Sequence, residues 1–550
     1  MLLGPGNRCE KVLIIQMCRM GDVVQSLPLL KRLKETKPSC ETTLLCIRES
    51  IELLHGCPLV DRFVSVPYAY YKTLHAIRSP SPRLNFLLGL PELCESYDQV
   101  INLTHGYFSA LICRAVAGRK KSGRYYLDND RVGVAGDWGK YLFCAVANRE
   151  NRMENLMNLV DIHIGMAGLP HGAMDKWLEV KEDEAVRAGE ILKAGGWKKT
   201  GKLVALQLGA NQLHRAWPVG NFAALGSYLS GRLGAEVVLL GSPGEKGLGE
   251  EFLGQTETAI INLIGKTRVA DLPAILQRCD LVISNDTGTS HIAAAVGTRV
   301  LGLYFSTAYF AETGPFGSGN VVLQVQTECS PCHNQRCGKT RCGDYLDVEA
   351  VKTAAEMMLY GPKRALPDYP NLFAYESRFL SNGTMLYAPI TSRVPEGYET
   401  GFINTMFWQR ALGLEADKEF EGEMVEKLAH SPSFRAKKLA LGKRYGLLGR
   451  LYRDGARVLR DAAGWGRRPP TLCETVMEAL RGINAHIFSL AEATIMRTFH
   501  DYEMMDMDWA NESEASRTLI EKYEKLHRMA ESFSGLSSQW QRLEEQPLAK

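Results

Sequence analysis

The chain has 550 residues, of which 45% are hydrophobic, and its formal net charge is only +3. This length exceeds what one hydrophobic core supports, and at roughly 150 residues per domain it predicts three or four domains. The small net charge excludes a surface that attracts nucleic acid or membrane as a whole. We therefore expect no nucleic-acid partner, and any electrostatic role must be local.

Two features of the sequence predict a cytoplasmic protein. No apolar run approaches the roughly 18 residues of a membrane span, and the start MLLGPGNRCEKVL lacks the apolar core of a secretory signal. Ten of the fourteen cysteines are scattered singly along the chain, which fits a reducing compartment better than a disulfide framework.

The first part of the chain alternates apolar runs with helical patterns. Helices are predicted at residues 23–33 and 107–116, and strands at residues 11–15, 44–47, 63–66 and 99–103. Strands separated by helices pair in parallel, because each crossover needs a dozen or more residues. Residues 1–170 are thus predicted to form a Rossmann-like domain. A linker follows around Pro170 and Gly172.

The turn between the first strand and the first helix is the most prominent feature of this domain. In the segment MCRMGDVVQSLP, residues 17–28, the chain turns at Gly21 and begins a helix with Asp22. Open α/β sheets bind ligands at this end of their strands. Asp22 is therefore a candidate functional carboxylate, and the alternative is that it only caps the helix.

The second part repeats the alternation. Strands are predicted at residues 203–208, 235–240, 281–284 and 300–305, and helices at 219–233, 271–278 and 290–296. Residues 171–360 are thus predicted to form a second Rossmann-like domain. Ligands would bind in the cleft between the two.

The segment SNDTGTSHIAAAVG, residues 284–297, follows a strand and opens a helix of small residues. Unpaired N–H groups and the helix dipole make such a start a site for a phosphate or diphosphate. Gly288 lets the backbone approach the anion, and Thr287 adds a hydroxyl donor. Asp286 is a poor phosphate ligand and is expected to cap the helix or orient its neighbours. His291, one turn later, faces either the cleft or the core.

Two further loops end strands of the same domain. In GANQLHRAWPVGNF, residues 209–222, Arg215 precedes a helix start and is well shaped for bidentate phosphate contact. In LLGSPGEKGLGEEF, residues 239–252, Glu245 can accept hydrogen bonds from a ribose diol. The alternative for each is a solvated surface side chain.

Three segments resemble glycosyltransferase family 9, the bacterial heptosyltransferases of the lipopolysaccharide inner core. They are VLIIQMCRMGDVVQSLPLLKRLK, GANQLHRAWPVGNFAALGSYL and LIGKTRVADLPAILQRCDLVISNDTGTSHIAAAVGTRVLGLYF, and the likeness spans about residues 11–360. The resemblance implies the two-domain GT-B fold. It also implies a nucleotide sugar, usually ADP-heptose, on the second domain and a lipid-linked acceptor on the first.

The resemblance also implies roles for residues. The aspartate of the Met-Gly-Asp turn, here Asp22, is the proposed general base in this family. Inverting transfer needs one carboxylate to take the acceptor proton, and a nucleoside diphosphate leaves without a second acid. Donors on Thr287, Gly288 and Arg215 would stabilise the growing charge, so no metal or other cofactor is expected for catalysis. Family members commonly carry Lys just before the Trp-Pro pair, whereas this chain has Arg215 two residues before Trp217.

A cysteine-rich loop, residues 329–342, lies near the end of the second domain. Its thiols are Cys329, Cys332, Cys337 and Cys342. Four thiols in this space can bind a structural zinc, although their spacing lacks paired Cys-x2-Cys knuckles. The alternative is a loop of free or redox-active thiols.

The last region, residues 361–550, is predicted to be irregular around its prolines and then mainly α-helical. Helical stripes run through Met477, Leu480, Ile487 and Leu490, and through Leu519, Tyr523, Leu526, Ala530 and Phe533. Residues 434–468 are the most basic part of the chain. They predict either a helix on the inner face of the cytoplasmic membrane or a bundle helix with a solvated charged face.

These observations leave three functional hypotheses. The first is an inverting, metal-independent transferase that moves heptose from ADP-heptose to a lipopolysaccharide inner-core or related lipid-linked acceptor. The second keeps the fold but uses another nucleotide sugar and glycan acceptor. The third is a non-catalytic binding or assembly protein built on a transferase scaffold.

Overall fold

The computed structural model describes residues 10–68, 89–126, 132–332, 342–362, 366, 368–395, 397–429, 434, 447, 450–451, 453–454, 456–457 and 520–531. The chain divides into two compact units. Unit 1 comprises Met1–Gly139 and Met157–Val394, and unit 2 comprises Lys140–Leu156 and Pro395–Lys550. The domain boundaries at residues 170 and 360 stay predictions beside this division.

The first sheet of unit 1 has six strands in the order β3-β2-β1-β4-β5-β6. The strands are β1 Lys11–Gln16, β2 Glu41–Ile47, β3 Arg62–Val66, β4 Ser96–Asn102, β5 Ala117–Tyr126 and β6 Val132–Ala135. All neighbours pair in parallel except β5 and β6. Central strand β1 is buried from its second residue to its last, as expected for a parallel sheet covered on both faces.

The second sheet has eight strands in the order β14-β13-β12-β11-β10-β7-β8-β9. They are β7 Leu203–Gln207, β8 Glu236–Leu240, β9 Ile260–Asn262, β10 Leu281–Asn285, β11 Val300–Tyr304, β12 Val321–Val325, β13 Leu372–Phe379 and β14 Met385–Pro389. Strands β7 to β12 are parallel, and β13 and β14 add antiparallel pairs. Both sheets thus have the Rossmann-like strand order, which confirms the predicted α/β class.

The helices complete these layers. In chain order they are α1 Met20–Thr36, α2 Ile51–Leu54, α3 Tyr107–Ala115, α4 Asp137–Ala145, α5 Arg149–Met153, α6 Leu159–Met166, α7 Glu182–Ala194, α8 Val219–Gly231, α9 Lys246–Leu253, α10 Leu272–Gln277, α11 Gly288–Ala295, α12 Phe310–Thr313, α13 Val348–Tyr360, α14 Tyr398–Ala411 and α15 Lys418–Ala429. Helix α1 packs against α6 and α11. Since α1 follows β1 and α11 follows β10, this packing brings together the carboxyl ends of central strands from both sheets.

Each strand predicted from the sequence overlaps an observed one, but six observed strands were not predicted. One pair, β13 and β14, occupies residues that we expected to be irregular, and that expectation is wrong. Pro370 precedes this pair, and Pro389 is the last residue of the edge strand β14. Proline is tolerated at strand ends and sheet edges, so these residues bound the strands instead of interrupting them.

Unit 2 is helical in its described part. It contains α5, α14, α15 and helical residues within 520–531. Tyr523, Leu526 and Ala530 are buried, which confirms the predicted stripe for these three residues. The rest of that stripe, at Leu519 and Phe533, and the whole stripe from Met477 to Leu490 lie outside the described residues.

Most of the basic segment 434–468 also lies outside the described residues. Within its described part, Arg453 forms an ion pair with Glu531 at 2.9 Å and Arg457 one with Asp454 at 3.5 Å. A membrane-surface helix here stays a prediction. None of the described helices combines the length and the apolar character needed to span a bilayer.

Candidate active site

Asp22 lies in the first turn of α1, at the carboxyl end of β1. Helix α1 begins at Met20, and Asp22 Oδ2 accepts a hydrogen bond from the backbone N–H of Arg19 at 3.0 Å. The N-cap residue is thus Arg19 and not Asp22, which corrects the expected helix start. Asp22, the third helical residue, still caps the helix by bonding the N–H of Arg19. Among the described residues, the second carboxylate oxygen, Oδ1, has no hydrogen-bond partner. The capping interaction thus leaves one oxygen available for chemistry.

The surroundings of Asp22 raise the pKa of its carboxyl group above the ordinary value. Burial is the largest cause, and the charge of Asp286 raises the pKa further. The backbone N–H and the guanidinium of Arg19 oppose this shift, as does Arg215. Asp22 is therefore within electrostatic range of two predicted donor-site residues on the second sheet.

The start of α11 carries the predicted anion-binding segment. Thr287 is the N-cap residue and Gly288 the first helical residue, so backbone N–H groups of the first turn point away from the helix there. The Thr287 hydroxyl lies 2.9 Å from Ser284 Oγ. Asp286 forms an ion pair with Arg215, and the two side chains are 9% and 17% exposed. Asp286 therefore orients Arg215.

His291 is buried and lies at the junction of α1 and α11. Its Nε2 is 4.0 Å from Asp286 Oδ1. Burial is the main cause that lowers the pKa of His291, so the imidazole is neutral near pH 7. A Cβ atom on Gly21 would lie 3.0 Å from His291 Cδ2 and 3.3 Å from Gly288 Cα. His291 is thus both buried and directed at the meeting point of the two helix starts.

Asn285, the last residue of β10, holds the loop that carries Arg215. Its side chain is fully buried. The amide nitrogen donates to the carbonyls of Leu208 and Gly209 at 2.9 and 3.1 Å, and the amide oxygen accepts from the N–H of Trp217 at 3.0 Å. The sequence analysis missed this role. A polar residue that ends an otherwise apolar strand next to Asp286 is the signal that could have indicated it.

Glu245 joins a polar network beside the same loop. It accepts hydrogen bonds from Gln207 Nε2 at 3.0 Å and from the Ser242 hydroxyl at 2.7 Å. Gln207 Oε1 in turn accepts from the Thr289 hydroxyl at 3.0 Å. Glu245 is therefore a held, half-buried carboxylate and not the solvated surface residue of the alternative. Its role toward a ribose stays a prediction.

Arg19 is a second site residue that the sequence analysis did not single out. Its guanidinium donates to the side-chain oxygen of Asn211 at 3.0 and 3.3 Å, in the amide orientation that the surroundings favour. Asn211 belongs to the Arg215 loop. A side chain from the first sheet's turn therefore reaches the loop of the second sheet.

The cysteine-rich loop is only partly described. Cys329 is exposed, whereas Cys332 and Cys342 are buried. Cys337 lies outside the described residues, so the predicted metal site stays a prediction. Among the residues that are described, no three His, Cys, Asp or Glu side chains are grouped as metal ligands.

A cavity of about 1110 Å³ lies elsewhere in unit 1. It is lined by parts of α1, residues 52–59, residues 176–187 and residues 268–273. Within the described part of the chain, Asp22, Arg215, Asp286 and His291 do not line it. The candidate site is therefore defined by converging polar groups and not by this cavity.

Comparison with known proteins agrees with the resemblance seen in the sequence. Residues 91–341 match the sequence model described as Glycosyltransferase family 9 (heptosyltransferase). The chain carries a glycosyltransferase family 9 domain. Asp22 lies before the matched residues, whereas Arg215, Glu245, Asp286 and His291 lie within them.

Curated relatives cover more of the chain. The lipopolysaccharide heptosyltransferase 3 of Escherichia coli (strain K12) is 26% identical over 291 residues, which are 52% of this chain and 80% of that protein. The lipopolysaccharide core heptosyltransferase OpsX of Haemophilus influenzae is 22% identical over 327 residues, 58% and 85% of the two chains. These matches place this chain among the glycosyltransferases, so the hypothesis of a non-catalytic scaffold is set aside.

A solved structure shares the fold. The glycosyl transferase family 9 structure from Veillonella parvula DSM 2008 aligns with a TM-score of 0.50 and 21% identity. The alignment covers 64% of this chain and 97% of the Veillonella chain. The predicted GT-B fold is confirmed, and the family 9 match does not extend to the C-terminal region.

Replacing Asn285 with Ala should destabilise the Arg215 loop. The substitution leaves two carbonyls and one N–H buried without partners, each worth about 1–3 kcal/mol. We expect a lower free energy of unfolding, by at least about 2 kcal/mol, measured by chemical denaturation. The control Gln255→Ala removes an exposed amide and should stay within about 0.5 kcal/mol of the parent. Equal effects of the two substitutions would contradict the anchoring role.

Proposed function

We propose that this glycosyltransferase moves heptose, with inversion, from ADP-heptose to a lipopolysaccharide inner-core or related lipid-linked acceptor. The observation that carries the proposal is the position of Asp22. A half-buried carboxylate, one oxygen of which has no hydrogen-bond partner in the part of the chain that the structure describes, stands within electrostatic range of the Asp286–Arg215 pair at the start of α11. This arrangement supplies a base on one side and an anion site on the other.

Asp22 would act as the general base. Its Oδ1 can accept the proton of an acceptor hydroxyl while the Arg19 N–H holds Oδ2. A raised pKa makes the carboxylate a stronger base than an exposed aspartate, which favours proton transfer in the transition state. The deprotonated hydroxyl then attacks the anomeric carbon from the face opposite the leaving diphosphate, which inverts that centre.

The second sheet would stabilise the leaving group. The N–H groups at the start of α11 and the Thr287 hydroxyl are hydrogen-bond donors that need no rearrangement when charge develops. Arg215 adds a cation that Asp286 orients. Glu245, held by Gln207 and Ser242, would accept hydrogen bonds from the ribose diol.

The donor and acceptor are inferred from the relatives. Both curated relatives described above are named as lipopolysaccharide heptosyltransferases. A lipopolysaccharide is a glycan linked to a lipid, so the proposed acceptor is lipid-linked. We therefore propose a protein that works at the inner face of the cytoplasmic membrane, either in solution or in peripheral contact with it.

The donor is tested by product analysis. The purified chain is incubated with ADP-heptose and extracted inner-core acceptor, and the product is identified by mass spectrometry and by the configuration of the new bond. We expect one added heptose with inverted configuration. A thermal-shift comparison of ADP-sugars with UDP-sugars supports the assay, since a ligand at 100 times its Kd stabilises by about 2.7 kcal/mol. If product formed only with a UDP-sugar, that sugar and not ADP-heptose would be the donor.

Substituting Asp22 with Asn tests the base. The amide keeps the size of the side chain but cannot take a proton, so we expect kcat to fall by about 10²–10⁴-fold with little change in donor binding. Asp175→Asn, an exposed carboxylate hydrogen-bonded to Ser318, is the matched control and should keep full activity. Activity of the Asp22 variant within about threefold of the parent would disprove the assignment.

The same assignment predicts a pH dependence. A general base must be ionised, so kcat/KM should fall as the pH drops through the pKa of Asp22. Because burial and Asp286 raise that pKa, the acidic limb should lie above about pH 4, the ordinary value for Asp. The limb is measured from kcat/KM between pH 4 and 8, with stability checked at each pH. A profile that is flat down to pH 4 would contradict a raised pKa.

A further inference from the structure

Arg19 and Arg215 differ in how their charges are compensated. Arg215 is paired with Asp286, and both side chains are largely buried. Arg19 is exposed, and among the described residues no carboxylate lies within ion-pair distance of its guanidinium. Its hydrogen-bond partner is the neutral amide of Asn211. Arg19 is thus the site cation whose charge is not neutralised by a direct partner.

The position of Arg19 relates it to the second sheet. It is the N-cap residue of α1, three positions before Asp22, yet its guanidinium contacts the loop that carries Arg215. The packing of Gly21 against Gly288 and His291 places the same turn beside the start of α11. The turn that carries Arg19 therefore contacts both the Arg215 loop and the start of α11, the two elements that would surround a diphosphate.

We propose that Arg19 binds the diphosphate of the nucleotide-sugar donor from the opposite sheet. This inference rests on the proposed function and adds a donor-binding residue to it. The guanidinium would exchange its hydrogen bonds to Asn211 for charge-assisted, bidentate bonds to phosphate oxygens, which are about twice as strong as neutral ones. As the glycosidic bond breaks and negative charge grows on the diphosphate, the same contact would strengthen.

The chemistry of the site favours the donor over an anionic acceptor as the ligand of Arg19. The neighbouring groups that can donate to an anion, the first turn of α11 and the Thr287 hydroxyl, belong to the predicted donor segment. The ion pair with Asp286 already compensates part of the charge of Arg215. A second cation directed at the same loop supplies the charge that a diphosphate needs.

The test measures binding of nucleoside diphosphate to Arg19 variants. Isothermal titration with ADP and with UDP gives the Kd, and steady-state kinetics with the donor and the acceptor varied in turn gives the two KM values. For Arg19→Ala we expect the Kd of the diphosphate that the parent binds, and the donor KM, to rise about tenfold or more, as for loss of a charged hydrogen bond. The acceptor KM should stay within about twofold. Arg19→Lys should recover part of the loss, since it keeps the charge without the fork.

Two controls separate this role from a loss of folding. Arg232→Ala removes another exposed arginine of unit 1 and should leave both KM values unchanged. Asn211→Ala removes the neutral partner and keeps the cation, so its Kd for the diphosphate should not rise more than about threefold. Thermal unfolding of each variant confirms that the fold is retained.

The outcomes also separate this inference from the proposed function. A parent that forms product while Arg19→Ala binds the diphosphate as tightly as the parent overturns the role of Arg19 alone. A selective rise in acceptor KM overturns it as well, because it assigns Arg19 to the acceptor. A parent that forms no product with any nucleotide sugar overturns the proposed function, whatever the Arg19 variants show.

Discussion

The close approach of two helix starts is the constraint on which the candidate site depends. Gly21 of α1 and Gly288 of α11 lie against each other. A Cβ atom on Gly21 would lie 3.3 Å from Gly288 Cα, and one on Gly288 would lie 3.3 Å from Met20 Cε. Because each helix begins at the carboxyl end of a central strand, this contact joins the functional edges of both sheets.

The Arg215–Asp286 pair sets the electrostatic character of this junction. Both side chains are mostly buried, so each charge needs the other to offset the loss of hydration. Removing one partner would strand a buried charge, which is why the pair acts as a single unit. The two charges of the pair still act on Asp22, since Asp286 raises and Arg215 lowers the pKa of the Asp22 carboxyl group.

Much of the fold could be predicted from the sequence, because apolar runs separated by helical patterns specify a parallel sheet locally. The strands that were missed lack that pattern or break it. Strand β5 carries Arg119, Lys120, Lys121 and Arg124 in the run AGRKKSGRYY, and β13 and β14 stand among prolines. Their pairing is decided by neighbouring strands that are distant in sequence, which a local pattern does not report.

The site shows a similar division. Asp22, Arg215, Asp286 and His291 were identifiable because each stands at a strand-to-helix junction. Asn285 and Arg19 were not, because the contacts of their side chains join segments many residues apart. Asn285 binds the carbonyls of Leu208 and Gly209, more than 70 positions away. Arg19 reaches Asn211 only because the two sheets meet at the glycine contact.

Hydrogen bonds join the side chains around the start of α11 and the Glu245 loop into a continuous network. Thr289 donates to Gln207, Gln207 donates to Glu245, and Glu245 also accepts from Ser242. Side chains that are already held lose little conformational freedom on binding, so this network would favour the proposed donor site. The exposed bond between Arg19 and Asn211 differs from this network, since it joins a full charge to a neutral amide across two loops. Under the proposed function, this held network would receive the nucleotide sugar, and Arg19 would exchange its bonds to Asn211 for bonds to the diphosphate.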